Sequence, residues 1–289
     1  MRSHRTPRDR ARPMTRRLRL DAELVRRGLA RSREHASTLI DDGLVKVAGS
    51  VASKAATGVT TDQAIVVKES QEPTYASRGA YKLLGALSVF EPMGLAVHGR
   101  RCLDAGASTG GFTDVLLRKG ARQVCAVDVG YGQLVWALQS DERVHVFDRT
   151  NIRHLETSDI GGPVQLIVSD LSFISLTVVM PALTRVCEPS PEGDIVLMIK
   201  PQFEVGRSNL GKNGVVRDPA LHAEAVHRVC LSAYEHGWGT RALAPSPLPG
   251  PAGNVEYFCW LRSDAGVPNE QAAHDVVAAG PLDTAGATS

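Results

Sequence analysis

Four ionisable residues stand where a proton-transfer step at the edge of a sheet would need them. They are Lys82, Asp170, Lys200 and Glu256, and both Asp170 and Lys200 follow a short apolar run that is typical of a buried strand. A lysine can act as a base only when its pKa falls toward neutrality, and a second cation nearby can cause this. We therefore interpret Lys200 as the candidate base and Lys82 as the second cation. Asp170 and Glu256 would orient the two ammonium groups.

A glycine-rich turn lies between Lys82 and Asp170, within the run LDAGASTGGFTD at residues 103–114. Glycines permit tight turning and a close backbone approach to a ligand, and the free N–H groups at the start of the following helix suit an anion. The pattern differs from the dinucleotide fingerprint G-x-G-x-x-G, which disfavours a nicotinamide cofactor. The candidate cofactor-binding residues of this turn are Asp104, Gly106, Ser108, Gly110, Gly111 and Phe112.

Two further aspartates follow the next two predicted strands. Asp128 is placed to accept hydrogen bonds from both ribose hydroxyls of a nucleoside, and Asp148 is placed to reach an adenine amine. A single aspartate at a strand end is more often a helix cap than a ligand group. The recurrence at Asp104, Asp128 and Asp148 favours a nucleoside-containing cofactor whose methionine-like carboxylate meets the helix, namely S-adenosylmethionine (SAM).

Short apolar strands alternate with helical segments from residue 100 onward, which predicts a parallel, doubly wound α/β sheet. In such a sheet ligands bind outside the carboxyl ends of the strands. A helix is predicted over residues 78–90. A last strand over 254–262 follows a proline-rich loop, which cannot lie in the interior of the sheet. The predicted strands are 101–104, 123–129, 143–147, 164–170, 194–200 and 254–262.

The amino-terminal part predicts a small RNA-binding unit. Residues 1–19 contain eight Arg and one Asp, and such charge attracts phosphate; a solvated tail, or a start at Met14, are the alternatives for the first stretch. Ser32 is a plausible N-cap and Gly43 a stop for the second helix. We divide the chain into a basic arm (1–16), an RNA-binding domain (17–68), a linker (69–77), a catalytic domain (78–263) and a disordered tail (264–289). The candidate RNA-binding residues are Arg19, Arg31, Ser32, Arg33, Lys54 and Phe173.

Composition excludes several classes of protein. The five Cys form no C-x-x-C pair, so a disulfide framework or a zinc site is not expected, and the histidines show no metal-ligand spacing. No apolar run approaches the ~20 residues of a membrane span. We expect a cytoplasmic monomer without a metal.

Several runs of this sequence resemble known protein families. The run LDAELVRRGLARSREHASTLIDDGLVKVAG is similar to the S4 RNA-binding domain, and residues 78–262 look like an FtsJ-type SAM-dependent methyltransferase. The runs AVDVGYGQL, SDLSFISL, KPQFEVG and SPLPGPAGNVEYF extend the resemblance, over nearly the whole chain, to the TlyA family of rRNA methyltransferases, whose members are also labelled hemolysins.

The resemblance implies a class I SAM methyltransferase fold, mostly parallel with its last strand antiparallel, preceded by a small α+β domain. It implies that Lys82, Asp170, Lys200 and Glu256 are a catalytic tetrad, and that cytidine ribose in 16S or 23S rRNA of ribosomal subunits is the substrate. Tyr75-Ala76 and Asp148 depart from the family pattern, which has an aromatic-Val pair and a Glu there. Phe173 would stack on a flipped base or pack in the core.

Two other classes of function stay open at this point. A non-catalytic RNA-binding assembly factor would keep the fold without transferring a methyl group, and an intact tetrad disfavours it. A membrane-lytic protein, as the hemolysin label suggests, would need an amphipathic or membrane-spanning segment, and we find none in the sequence.

Overall fold

The computed structural model describes residues 17–30, 33–41, 43–68, 75–211, 214–250 and 252–280. The chain divides into two compact units between Thr74 and Tyr75. The predicted arm 1–16, residues 69–74 of the predicted linker and residues 281–289 of the predicted tail lie outside the described residues, as do Arg31 and Ser32.

The first unit is a small α+β domain with two helices and five short strands in its described part. One antiparallel pair joins its first and fourth strands, and the second strand is the centre of a three-stranded antiparallel sheet. The elements are β1 (Leu18–Arg19), α1 (Leu20–Arg26), α2 (Arg33–Asp41), β2 (Val45–Val47), β3 (Ser50–Val51), β4 (Gly58–Val59) and β5 (Ile65–Val67).

An apolar cluster between the helices and the strands holds this unit together. Leu20 and Leu24 of α1 are fully buried there with Ile40 of α2 and Val45 of β2. The helix α2 stops where predicted, because Gly43 adopts a positive φ of 69° and its N–H returns to the carbonyl of Ile40. The predicted stop of this helix at Gly43 is therefore confirmed.

The second unit is a seven-stranded sheet with helices packed on both faces. Short 3₁₀ turns lie at residues 91–93, 152–154 and 207–209. The regular elements are α3 (Gly79–Phe90), β6 (Arg101–Ala105), α4 (Gly111–Arg118), β7 (Gln123–Val127), α5 (Trp136–Gln139), β8 (Val144–Phe147), β9 (Leu166–Ser169), α6 (Leu176–Val186), β10 (Asp194–Ile199), α7 (Pro201–Glu204), α8 (Pro219–Glu235), β11 (Gly239–Pro245), β12 (Tyr257–Arg262) and α9 (Glu270–Ala279).

The strand order is β11-β12-β10-β9-β6-β7-β8, and β12 runs antiparallel to both of its neighbours. The strands β6 to β10 pair in parallel. This is the predicted doubly wound sheet with an antiparallel last strand. Its order reverses beside β6, so the turns after β6 and β9 open at the edge where ligands bind in such folds.

Alternate side chains of each strand enter two separate hydrophobic cores. Phe258 and Trp260 of β12 face the layer formed by α3 and α4, where Trp260 packs on Phe90 with ring centroids 5.8 Å apart. Tyr257 and Cys259 face the layer formed by α6, α8 and α9. Burial on both faces explains why the strands are nearly continuous apolar runs.

Two expectations about the ends of this unit were wrong, and one edge strand was missed. The predicted disordered tail contains α9, whose Ala273, Val276 and Val277 are buried in the core; the helix buries small residues that give only a weak apolar pattern. The edge strand β11 was not predicted, and Pro245 closes it, an edge position that proline tolerates. The predicted linker is too long, because the backbone N–H of Ala76 already bonds to Asp114 of α4 at 2.9 Å.

Candidate active site

Register brings three of the four predicted catalytic residues to one edge of the sheet. Ile199 pairs with Tyr257 in β10 and β12, so Lys200 and Glu256 occupy the next adjacent positions. Asp170 directly follows β9, the strand on the other side of β10. Lys82 reaches the same edge from the first turn of α3. The sequence separation of these residues therefore hides a close spatial grouping.

The four side chains form two ion pairs. Lys82 Nζ lies 2.5 Å from Glu256 Oε2, and Lys200 Nζ lies 2.5 Å from Asp170 Oδ1. Lys200 Nζ also donates to Ser172 Oγ at 2.9 Å. Buried ammonium and carboxylate groups need such partners, because an unpaired charge in the interior is costly. Each predicted carboxylate thus holds one ammonium group.

The two pairs differ in their access to solvent. Glu256 is 1% exposed and Lys82 8% exposed, while the side chain of Asp170 is 25% exposed. Gly79, which begins α3, lies against the second pair, since a Cβ there would sit 3.7 Å from Asp170 Oδ2. The first turn of α3 therefore connects the buried pair to the open one. The two lysines are equally buried, so the pairs differ in the exposure of their carboxylates.

A cavity of about 340 Å³ opens beside Asp170. It is lined by the glycine turn after β6 and by the loops after β7, β8 and β9. The lining residues are Gly106, Ser108, Val127, Asp128, Val129, Gln133, Thr150, Ile152, Asp170, Leu171, Ser172 and Phe173. Predicted cofactor residues and a predicted catalytic residue therefore face the same space.

Gly106 is required for the shape of this cavity. Its φ is +91°, and a Cβ at this position would lie 2.8 Å from the backbone oxygen of Asp170. A side chain would thus both strain the backbone and push the β9 loop away. The position forms a cradle that only glycine leaves open.

Asp128 fixes the opposite wall of the cavity. Its Oδ2 accepts from the backbone N–H of Ser108 at 2.8 Å, and its Oδ1 accepts from the N–H of Gly130 at 2.7 Å. Each carboxylate oxygen accepts one bond from the protein and keeps a further lone pair. Asp128 therefore links the glycine turn to the β7 loop while remaining able to accept a ligand hydroxyl.

Asp104 lies beneath the turn and not in the cavity lining. It is fully buried, and its Oδ2 accepts from Thr113 Oγ1 at 2.7 Å, while its Oδ1 has no hydrogen-bond partner. Burial raises the pKa of Asp104 to about 7. Its contacts tie β6 to α4 and so hold the turn between them.

The other predicted cofactor residues also contact protein instead of lining the cavity. Gly110 and Gly111 begin α4 where side chains would collide with Leu134 and Ser77, and Phe112 packs on Phe258 with ring centroids 6.2 Å apart. Asp148 Oδ2 accepts from the N–H of Gly132 at 2.8 Å, next to the cavity residue Gln133. These residues shape the walls.

Phe173 is prominent at the mouth of the cavity. It is 92% exposed, has a positive φ of 65°, and contacts Phe203 with ring centroids 5.3 Å apart. The alternative that Phe173 packs in the core is therefore wrong. A non-glycine residue in the left-handed region is a strained arrangement that tends to occur at functional sites.

Three polar cavity residues were not singled out from the sequence. Ser172 follows Asp170 by two positions, and Gln133 and Thr150 follow β7 and β8. Ser172 and Gln133 lie within sequence runs that resemble the family, and Thr150 lies two residues after Asp148. Each of the three follows a parallel strand, and this position could have indicated them.

The predicted RNA-binding residues of the first unit gather at the start of α1. Arg19 and Arg33 both pair with the buried Asp21, at 3.0 and 2.9 Å. Lys54 is exposed on the neighbouring loop, whose Ala55 carbonyl accepts from the N–H of Asp21 at 3.1 Å. One acidic residue thus presents two arginines that keep more than half of their side chains exposed. The predicted contacts Arg31 and Ser32 lie outside the described residues.

The described residues also bear on metal binding and on membrane insertion. No group of three His, Cys, Asp or Glu side chains in them is arranged to hold a metal ion. None of their helices combines the length and the apolar character that crossing a membrane requires.

Comparisons with known proteins match both parts of the chain to known families. The family model described as FtsJ-like methyltransferase matches residues 75–263, and the one described as S4 domain matches residues 18–65. The chain is 53% identical to the 16S/23S rRNA (cytidine-2′-O)-methyltransferase TlyA of Mycobacterium tuberculosis, over 93% of this chain and all of the relative.

Several relatives carry the name hemolysin. Hemolysin A of Brachyspira hyodysenteriae is 38% identical over 83% of this chain and 98% of its own length. A solved structure titled as a hemolysin from Streptococcus thermophilus is 36% identical, covers 92% of this chain and 96% of its own, and superimposes with a TM-score of 0.72. The chain belongs to the FtsJ-like methyltransferases, and within them to the TlyA family, which joins an S4 domain to the methyltransferase domain.

Proposed function

We propose that this methyltransferase transfers a methyl group from SAM to the 2′-hydroxyl of a cytidine ribose in ribosomal RNA, in the 16S chain, the 23S chain or both. One observation carries the proposal: the glycine cradle and Asp170, the partner of the candidate base Lys200, face the same cavity. The relative from Mycobacterium tuberculosis, whose name gives this reaction, supports the choice of substrate.

The cavity fits SAM by its donor and acceptor chemistry. Gly106 leaves room for a ligand against the backbone, and Asp128 keeps lone pairs for ribose hydroxyls. Asp148 supports the loop that places Gln133 in the lining. When bound, SAM supplies a methyl group on a sulfonium centre, and the carbon–sulfur bond breaks as the bond to the ribose oxygen forms.

The tetrad handles the proton and the position of the ribose. The Lys200 ammonium group first releases a proton to solvent and then, as the neutral amine, accepts the proton of the 2′-hydroxyl, while Asp170 and Ser172 hold its Nζ in place. General bases of this kind contribute roughly 10²- to 10⁴-fold to a rate. Lys82 binds the substrate ribose or phosphate, and Glu256 orients it. A hydroxyl held in this way is both positioned and deprotonated during transfer.

RNA binding uses both units. Arg19, Arg31, Ser32, Arg33 and Lys54 contact phosphate through the S4 domain, and such contacts supply affinity without sequence selection. Phe173 offers an exposed ring on which the target base can stack once it leaves the helix. The partner is therefore a ribosomal subunit or its folded RNA.

The test uses purified protein, labelled SAM and each ribosomal subunit from a strain that lacks this modification. We expect label in 2′-O-methylcytidine, found by digesting the RNA to nucleosides. Lys200→Ala should lower turnover by about 10²- to 10⁴-fold and leave SAM and RNA binding intact. Lys119→Ala is the matched control, because Lys119 forms a half-exposed pair with Glu91 outside the site. Label in another nucleoside, or normal turnover by Lys200→Ala, would contradict the proposal.

A further inference from the structure

The segment that follows the catalytic Lys200 is held at its far end by buried side chains. It runs from Val205 to Asp218, between α7 and α8, and residues 206–209 are exposed. Val216, in contrast, is 3% exposed, and it packs with Val205 and Ala225 in a small apolar cluster of its own. Val205 and Val216 therefore hold the segment at two buried points, while residues 206–209 between them face solvent.

Both backbone groups of Val216 bond to buried side chains. Its N–H donates to Asn254 Oδ1 at 3.0 Å, and its carbonyl oxygen lies 3.0 Å from His222 Nε2. Asn254 Nδ2 donates in turn to the carbonyl of Gly214 at 3.1 Å. Asn254 and His222 are 2% and 0% exposed. Backbone groups that are satisfied by buried side chains cannot shift without leaving those groups unpaired.

The imidazole of His222 continues the chain of hydrogen bonds to β12. Its Nδ1 lies 2.9 Å from the hydroxyl of Tyr257. Because the carbonyl of Val216 can only accept, Nε2 carries the hydrogen, so Nδ1 accepts from the Tyr257 hydroxyl. Burial lowers the pKa of His222 and raises that of Tyr257, which keeps both groups neutral.

Two of these hydrogen-bonding residues flank a member of the tetrad in the sequence. Asn254 and Tyr257 stand two residues before and one residue after Glu256, whose Oε2 accepts from Lys82. The segment itself begins just after Lys200 and α7. The relay Tyr257–His222–Val216–Asn254 thus joins the chain that carries Lys200 to the chain that carries Glu256, and so spans the two ion pairs.

We propose that His222, Asn254 and Tyr257 are positioning residues for methyl transfer, which fix the Val205–Asp218 segment and with it the spacing between the Lys200–Asp170 and Lys82–Glu256 pairs. The proposal rests on the proposed function for its kinetic part. Small errors in the placement of catalytic groups have large effects on rate. The relay therefore acts on turnover and leaves the cofactor cavity, which none of the three residues lines, unchanged.

Three variants separate the relay from simple packing. His222→Leu introduces an apolar side chain of similar size and removes both hydrogen bonds. His222→Gln restores one donor and one acceptor on opposite sides of an amide. Tyr257→Phe removes only the hydroxyl that donates to His222. His227→Leu is the control, because His227 lies on the same helix outside the relay.

Hydrogen exchange of the Val205–Asp218 segment and methyl transfer at saturating substrates are measured for each variant. In His222→Leu we expect faster exchange of the segment and about tenfold lower kcat, with the Kd for SAM within about twofold of wild type. Tyr257→Phe should also speed up the exchange of the segment and lower kcat. His222→Gln should recover most of the turnover, and His227→Leu should match wild type.

Three results would overturn the proposal. They are unchanged exchange in His222→Leu, unchanged kcat despite faster exchange, and equal losses of kcat and SAM affinity in the Leu and Gln variants, which would indicate a role in folding alone. Failure of the proposed function is recognised separately, because wild-type protein would then give no label in 2′-O-methylcytidine. The exchange comparison would still decide whether the relay anchors the segment.

Discussion

Replacing Lys82 by Met leaves the carboxylate of Glu256 buried without its ammonium partner. Glu256 is 1% exposed and lies 2.5 Å from Lys82 Nζ. Breaking a buried pair in this way costs about 3–5 kcal/mol, a large part of the roughly 5–15 kcal/mol that keeps a domain folded. For a unit of this size we expect Tm to fall by roughly 10 °C.

A double variant separates this loss of stability from the loss of chemistry. Adding Glu256→Gln to Lys82→Met removes the unpaired charge, so most of the lost Tm should return, whereas methyl transfer should stay low because the ammonium group is missing. Lys119→Met is the control, since its half-exposed pair with Glu91 contributes about 1 kcal/mol or less.

Thermal unfolding followed by circular dichroism and single-turnover methyl transfer well below Tm are the two assays. A wild-type Tm for Lys82→Met would refute the reasoning about the buried pair. Recovery of methyl transfer in the double variant would refute the catalytic role of the ammonium group.

Other predictions concern the cofactor cavity and the RNA-binding unit. Gly106→Ala should weaken SAM binding by about tenfold or more in calorimetry, because the new Cβ would meet the Asp170 backbone at 2.8 Å; unchanged affinity would contradict the cradle. Hydrogen bonds from Arg26 and Arg27 lower the pKa of Glu23 from 4.5 to about 2. A carboxyl group whose pKa is lower in the folded state than in the unfolded state stabilises the fold at pH values above its unfolded pKa. The first unit should therefore lose stability as the pH falls from about 4.5 to about 2. Glu23→Gln should flatten that pH dependence in acid titrations followed by NMR. Lys54→Gln should reduce the slope of log Kd against log salt for RNA by about one; an unchanged slope would remove Lys54 from the phosphate contacts.

Much of the site could be predicted because parallel strands impose a simple rule. Residues that follow such strands meet at one edge, so Asp128, Asp170 and Lys200 could be assigned there from their place after apolar runs. The same rule could not distinguish a residue in the cavity wall from one beneath it. Asp104 and Phe112 therefore turned out to contact protein, since their depth depends on how α4 packs against β6.

The sequence could not indicate contacts that follow no local pattern. His222 and Asn254 reach the backbone of Val216, and no spacing rule links a helix, a strand approach and a loop in this way. The helix α9 was missed for a related reason, because its buried side chains are as small as Ala273 and its stripe is weak. In both cases tertiary packing decides the outcome.

A structure of the protein with S-adenosylhomocysteine, the product that SAM leaves behind, tests the central claim most directly. We predict its ribose hydroxyls against Asp128 and its sulfur toward the side of the cavity formed by Asp170, with Lys200 still paired there. Binding elsewhere on the molecule, or a sulfur directed away from the Lys200–Asp170 pair, would contradict the assignment of both the cavity and the catalytic residues.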